Sequence, residues 1–208
     1  ARRLGRLYVV GDDGLLIYDT SSPATPALLG TWSQGIKVLD IEISGSTAYL
    51  ATLELDWDVY VTTLTALNIS NPASPAFLGR WDPQTCCQGD GSVAINGTTV
   101  FLSSSTTIYL VNMVNPAFPS PVGTLSSDDQ VRDMIVSGGT LIVDNRLGVR
   151  TYNLAFNPPS LQDNLNLPGS GGSGTVSGSL LYQTTGAGGL HVVSLQNPSD
   201  IVRLATLN

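Results

Sequence analysis

A short pattern that recurs five times along this chain limits what it can fold into more than any other feature. Aligned on one proline, the copies read GLLIYDTSSP (14–23), TLTALNISNP (63–72), TIYLVNMVNP (107–116), GVRTYNLAFNP (148–158) and GLHVVSLQNP (189–198). Pro23, Pro72, Pro116, Pro158 and Pro198 stand 49, 44, 42 and 40 residues apart. Around each copy, short apolar runs alternate with polar residues and break at Gly, Ser and Asn, the pattern of strands and hairpins. A strand-rich repeat of about 40–50 residues predicts an all-β fold, a β-propeller with one four-stranded blade per repeat.

The second copy shows a whole blade. VLDIEI (38–43) alternates, Ser44-Gly45-Ser46-Thr47 turns the chain, and Ala48–Ala51 returns; Leu64–Asn68 and Ala76–Trp81 supply the third and fourth strands. Gly45, Gly97, Gly138 and Gly178 occupy the same turn, which calls for a positive φ. Asp19, Asn68, Asn112, Asn153 and Ser194 close the third strand in each copy. A short oxygen-bearing side chain there accepts a backbone N–H two residues on, so this column reads as turn chemistry rather than catalysis. The following proline stiffens the entry to the outer strand.

The run Leu15-Leu16-Ile17-Tyr18-Asp19, Pro23, Pro26, Leu29-Gly30 and its second copy, Asn71-Pro72, Pro75, Leu78-Gly79, resemble the LVIVD-repeat β-propellers. Copies four and five are degenerate, with Asn153 or Ser194 for the aspartate and Ala205 at the Leu-Gly position. The resemblance implies a scaffold of bacterial or archaeal surface and exported proteins, without an assigned reaction.

The expected organisation is one domain over 1–208, with blades near 1–33, 34–82, 83–125, 126–168 and 169–208. Leu7–Val10 aligns with a second strand, so the first blade is expected to lack its innermost strand. Two accounts fit that register: part of a longer propeller of six to eight blades, or a unit of five blades that closes tightly or whose open inner edge is filled by another chain.

Charged residues make up 12% of the chain and Lys37 is its single lysine, so no basic stripe exists to track phosphates. The net charge is -7 and no apolar run reaches the roughly 18 residues of a membrane helix. The sparse charge and the Ser/Thr content predict an extracellular, cell-surface or periplasmic location. Cys86 and Cys87 are adjacent and cannot staple distant elements.

Asp40, Ser92, Asp133 and Ser173 fall at one inner-strand position. Asp40 and Asp133 are therefore candidate ligands for a cation such as calcium in the channel, since hard cations want several oxygens. Glu54-Leu55-Asp56-Trp57-Asp58-Val59-Tyr60 is the largest local departure from the repeat, read either as a partner-contact loop or as a longer hairpin. Glu54, Asp56, Trp57, Asp58 and Tyr60, with Cys86 and Cys87 on the same face, form the candidate partner-contact set. His191, the only histidine, occupies a variable third-strand column expected at the blade surface. A histidine base, zinc site or triad would have to use it alone. Asn68-Ile-Ser70 and Asn96-Gly-Thr98 match the glycosylation pattern but are accounted for as turns.

The leading expectation is a non-catalytic, exported interaction or structural module with a protein partner or self-assembly, and without a cofactor. One alternative is a metal-dependent, lactonase-like propeller hydrolase using the channel carboxylates. Another is a carbohydrate-binding surface built on Trp57, Tyr60 and Trp81.

Overall fold

The computed structural model describes residues 1–3, 5–56, 59–84, 90–169 and 171–207, and for Arg2, Arg3 and Asp56 the backbone only. Twenty strands make five antiparallel sheets in chain order, with no helix among the described residues. Blade 1 holds β1 (Arg2–Arg3), β2 (Arg6–Gly11), β3 (Gly14–Asp19) and β4 (Ala27–Trp32). Blade 2 holds β5 (Lys37–Ser44), β6 (Thr47–Asp56), β7 (Val59–Asn68) and β8 (Ala76–Trp81). In blade 3 the strands are β9 (Val93–Asn96), β10 (Thr99–Ser104), β11 (Thr107–Asn112) and β12 (Ser120–Ser126). Blade 4 runs through β13 (Val131–Ser137), β14 (Thr140–Asn145), β15 (Gly148–Asn153) and β16 (Ser160–Asn166). Blade 5 comprises β17 (Gly171–Ser177), β18 (Leu180–Thr185), β19 (Gly189–Ser194) and β20 (Val202–Leu207). The first blade thus has three full strands, its innermost place taken only by two-residue β1 against β2.

The turn chemistry follows the sequence. Gly45, Gly97, Gly138 and Gly178 have φ between 56° and 61°. All five polar residues closing the third strand accept the N–H two residues on: Ser21 to Asp19 at 2.7 Å, Ser70 to Asn68 at 2.9 Å, Val114 to Asn112 at 3.0 Å, Ala155 to Asn153 at 2.9 Å, and Gln196 to Ser194 at 3.4 Å. Each outer strand carries a bulge at the same place, opposite Ile17/Tyr18, Ala66/Leu67, Leu110/Val111, Thr151/Tyr152 and Val192/Val193. A bulge raises local twist, as the rim of a blade needs.

Each blade buries apolar residues against its neighbours in the chain. Tyr8, Leu15 and Ile17 of blade 1 meet Ala48, Leu50 and Leu67 of blade 2. Tyr49, Leu64 and Ala66 then meet Val100, Leu102 and Val111. Phe101, Ile108 and Leu110 meet Leu141, Val143 and Tyr152, and Ile142 with Val149 meets Leu181 and Val193. One alternating set of each middle hairpin therefore faces the next blade and the other set faces the previous one, as a period of two dictates. Five blades give four such cores; among the described residues none joins blade 5 to blade 1.

The repeat's Leu-Gly motif has a specific partner. A Cβ on Gly30 would collide with the Pro72 carbonyl oxygen, and one on Gly79 with that of Pro116. The proline loop of one blade therefore sits directly on the outer-strand glycine of the blade before it. Gly123 meets nothing within 4 Å, because the facing loop of blade 4 has one extra residue between Asn153 and Pro158. A cleft of about 250 Å³ opens there, lined by Leu110, Val122, Leu154 and Phe156.

Candidate functional site

Two places concentrate polar chemistry: the inner-strand row and the long hairpin of blade 2. The row repeats one hydrogen bond from blade to blade. Asp40 Oδ2 accepts the Ser92 hydroxyl and the Val93 N–H, both at 2.8 Å. Ser92 Oγ accepts the Met134 N–H at 3.1 Å, and Asp133 Oδ2 accepts that of Gly174 at 3.0 Å. Each oxygen thus takes the N–H that follows its own counterpart in the next blade. The second oxygens of Asp40 and Asp133 accept Ile41 N–H at 2.7 Å and Met134 N–H at 2.8 Å. The row stitches inner strands β5, β9, β13 and β17 together where no ladder bond can. Among the described residues no group of three or more His, Cys, Asp or Glu side chains converges in metal-binding geometry.

Beside the row lies Asp144, a residue that no sequence motif singles out. It occupies the position held elsewhere by Ala51, Ser103 and Thr184, and its departure from that column of small residues is the signal that could have found it. Its side chain is buried with neither oxygen in a well-formed hydrogen bond. Burial, then the charge of Asp133, pushes Asp144 up to about 8. The nearby Gln183 amide and Gly172 N–H act as dipoles that draw it part of the way back. Burial also raises Asp133 to about 6, with the Gly174 N–H opposing and the Asp40 charge adding to the rise. At neutral pH this corner keeps a proton on Asp144.

The insertion in blade 2 is a longer hairpin. Ten-residue β6 and β7 stay paired through Glu54↔Val61, Leu55↔Tyr60 and Asp56↔Val59. Threonines line its base: Thr52 Oγ1 lies 2.7 Å from Thr63 Oγ1 and 3.2 Å from Thr65 Oγ1, and Thr63 donates to Glu54 Oε1 at 2.8 Å. Glu54 pairs with Arg80 on β8, and Arg80 also reaches Asp82 at 3.3 Å. Glu54 and Arg80 border a cleft of about 380 Å³ with Trp32, Ile36 and Phe77. At the outer end Leu55, Val59 and Tyr60 are 63%, 43% and 56% exposed. Trp57, Asp58, Cys86 and Cys87 lie outside the described residues, as does the Asp56 side chain.

Two expectations change. His191 is fully buried between blades 4 and 5, its ring nitrogens 3.0 Å from Thr185 Oγ1 and 3.0 Å from Thr206 Oγ1. In blades 2 to 5 its column is an inter-blade position facing the preceding blade rather than solvent: Arg150 there is nearly buried too and pairs with Asp128 at 2.6 Å. Trp81 packs into the core between blades 2 and 3, its ring 5.4 Å from that of Tyr109, while Tyr60 stands exposed at the hairpin tip.

The LVIVD repeat profile matches residues 6–33 and 37–83, which are blades 1 and 2. Blades 1 and 2 are LVIVD repeats, and the chain that carries them is a five-bladed β-propeller. Blades 3 to 5 keep the same strand order, turn residues and outer-strand bulge although the profile does not reach them. No curated protein sequence matches the chain. Among solved structures, this propeller is similar to the computationally designed Ika8 protein, with 9% identity, a TM-score of 0.61, and coverage of 100% of this chain and 72% of that one. A chain in the Mitotic Checkpoint Complex shares 13% identity at a TM-score of 0.69, over 97% of this chain and 62% of that one. Sqt1 of Chaetomium thermophilum shares 17% at 0.61, over 76% and 44%. Identities this low show a common fold alone.

Proposed function

We propose that this propeller is a non-catalytic interaction or structural module, exported to the periplasm, cell surface or medium, that engages a protein partner through the blade 2 hairpin. One observation carries the reading: a hairpin longer than its four counterparts presents Leu55, Val59 and Tyr60 to solvent on a rigid, fully paired stem. Exposed apolar side chains on a fixed element favour contact, because little conformational entropy is lost when they are covered. The threonine cluster and the Glu54–Arg80 pair hold the stem to its own blade.

A photo-crosslinking residue at position 60, introduced in cells of the native source, tests this. A discrete adduct at 60, absent when the probe sits at exposed Phe118, is the expected result. Labelling at 60 no stronger than at 118 would overturn it, and cell fractionation in the same experiment checks export. Calcium-dependent hydrolysis of a lactone or ester panel that disappears in Asp40→Asn or Asp133→Asn would replace this reading with the enzymatic one.

A further inference from the structure

Asp144 is a buried carboxylate that the repeat does not call for and the chain does not satisfy. In blade 3 its counterpart Ser103 accepts the N–H of Ser92 on its own inner strand at 2.8 Å. In blade 5 the counterpart Thr184 accepts that of Ser173 at 3.3 Å. Asp144 makes no such bond. It is 3% exposed, neither of its oxygens has a hydrogen-bond partner among the described residues, and it turns toward the inner strand of blade 5. Orphaned buried oxygens are rare in folded proteins and mark strain, a reacting group, or a bound water or ion.

The surroundings point to an ion. Asp133 stands directly opposite Asp144 across the β13–β14 ladder, so the two carboxylates share one face of the sheet, where like charges repel. Arg132, whose charge reaches Asp144, is already paired with Asp90 at 2.7 Å. Each Asp133 oxygen accepts one backbone N–H and keeps a second lone pair. A Cβ on Gly171 would lie 3.0 Å from Asp144 Oδ2 and would collide with the Asn145 carbonyl oxygen, so these two oxygens converge where a side chain would otherwise stand. Carboxylate and carbonyl oxygens are the donors that suit a hard cation. The Asp40/Asp133 pair expected from the sequence is thereby revised: Asp40 Oδ2 is filled by Ser92 and Val93, and Asp144 takes its place. We propose that Asp144, Asp133 and the Asn145 carbonyl bind one calcium ion between blades 4 and 5, with water completing its shell. The ion removes the repulsion between the facing carboxylates. Without it Asp144 holds a proton instead, so binding displaces that proton and strengthens as pH rises toward 8. The site is separate from the blade 2 hairpin, so either reading can fail while the other stands.

Calorimetric titration of calcium chloride into the chelator-stripped protein reads this directly. High ionic strength screens diffuse binding to a chain of net charge -7. One ion per chain should bind at pH 8, with affinity falling on the order of tenfold between about pH 7 and pH 6. Asp144→Asn keeps the shape of the side chain and should bind at least about tenfold more weakly, and calcium should no longer raise its melting temperature. Gly171→Ala fills the space beside the oxygens and should do the same. Asp12→Asn alters an exposed acid paired with Lys37 and should bind as the parent does. A parent chain that binds no stoichiometric calcium at pH 8 would overturn the proposal. So would an affinity that Asp144→Asn leaves unchanged, or one that Asp12→Asn lowers as much.

Discussion

Gly79 and Gly123 hold equivalent outer-strand positions and should respond differently to the same added methyl group. At Gly79 the Cβ would strike backbone of the Pro116 loop, which cannot rotate away; at Gly123 it meets open space. Gly79→Ala should cost about 1–3 kcal/mol, the usual range for overpacking. Gly123→Ala should stay within about 0.5 kcal/mol; denaturant midpoints at constant slope would separate the two. Asp144 makes a different prediction. Its folded value near 8 stands above the usual 3.8, so the folded state binds its proton more tightly than the unfolded chain does. That contribution is complete below about pH 4 and is lost as pH rises through 8. Between those limits stability falls by at most about 1.4 kcal/mol for each step of one in pH. Asp133 adds to the same fall over the lower part of the window, up to about 6. Asp144→Asn should raise the melting temperature at pH 8 and flatten the decline between about pH 4 and 8; an unchanged profile would exclude Asp144 as its source.

Among the elements, the β6–β7 hairpin is an extension grafted onto a complete blade. The blade's own pairing spans Thr47–Thr52 and Thr63–Asn68, as in its neighbours, and residues beyond it continue the same ladder outward. Replacing 54–61 with a two-residue Asn-Gly turn should therefore leave a folded propeller with a melting temperature close to the parent's. Crosslinking through this element should disappear. A large loss of stability would mean instead that the Glu54–Arg80 pair and the threonine cluster brace blade 2. The sequence showed that this segment breaks the repeat, and left open loop or hairpin. Only pairing across the tip decides between them, and pairing depends on register rather than composition.

Across the whole molecule, the legible part is what repeats. Turn glycines, the Asp/Asn column and the proline spacing each act within one blade, so their local chemistry appears directly in the sequence. The inner-strand row is visible as a column, but its use is not: Asp40 and Ser92 are 52 residues apart, and their bond exists only because successive blades stack. His191 and Asp144 escape a reading of the sequence for the same reason, since their environment is a neighbouring blade. Among the described residues, blades 2, 3 and 4 have two apolar interfaces each and blades 1 and 5 have one. Native-state hydrogen exchange on the chain should accordingly show protection highest in β10 and β14 and lower in β2 and β18. Uniform protection would point to an interface joining the two ends.

Each of the four cores among the described residues is complete with its own two blades, so a lesion in one is felt by the blades on either side before any other. Damage in a molecule of this kind is local, and one blade can drift in sequence while the rest hold their shape.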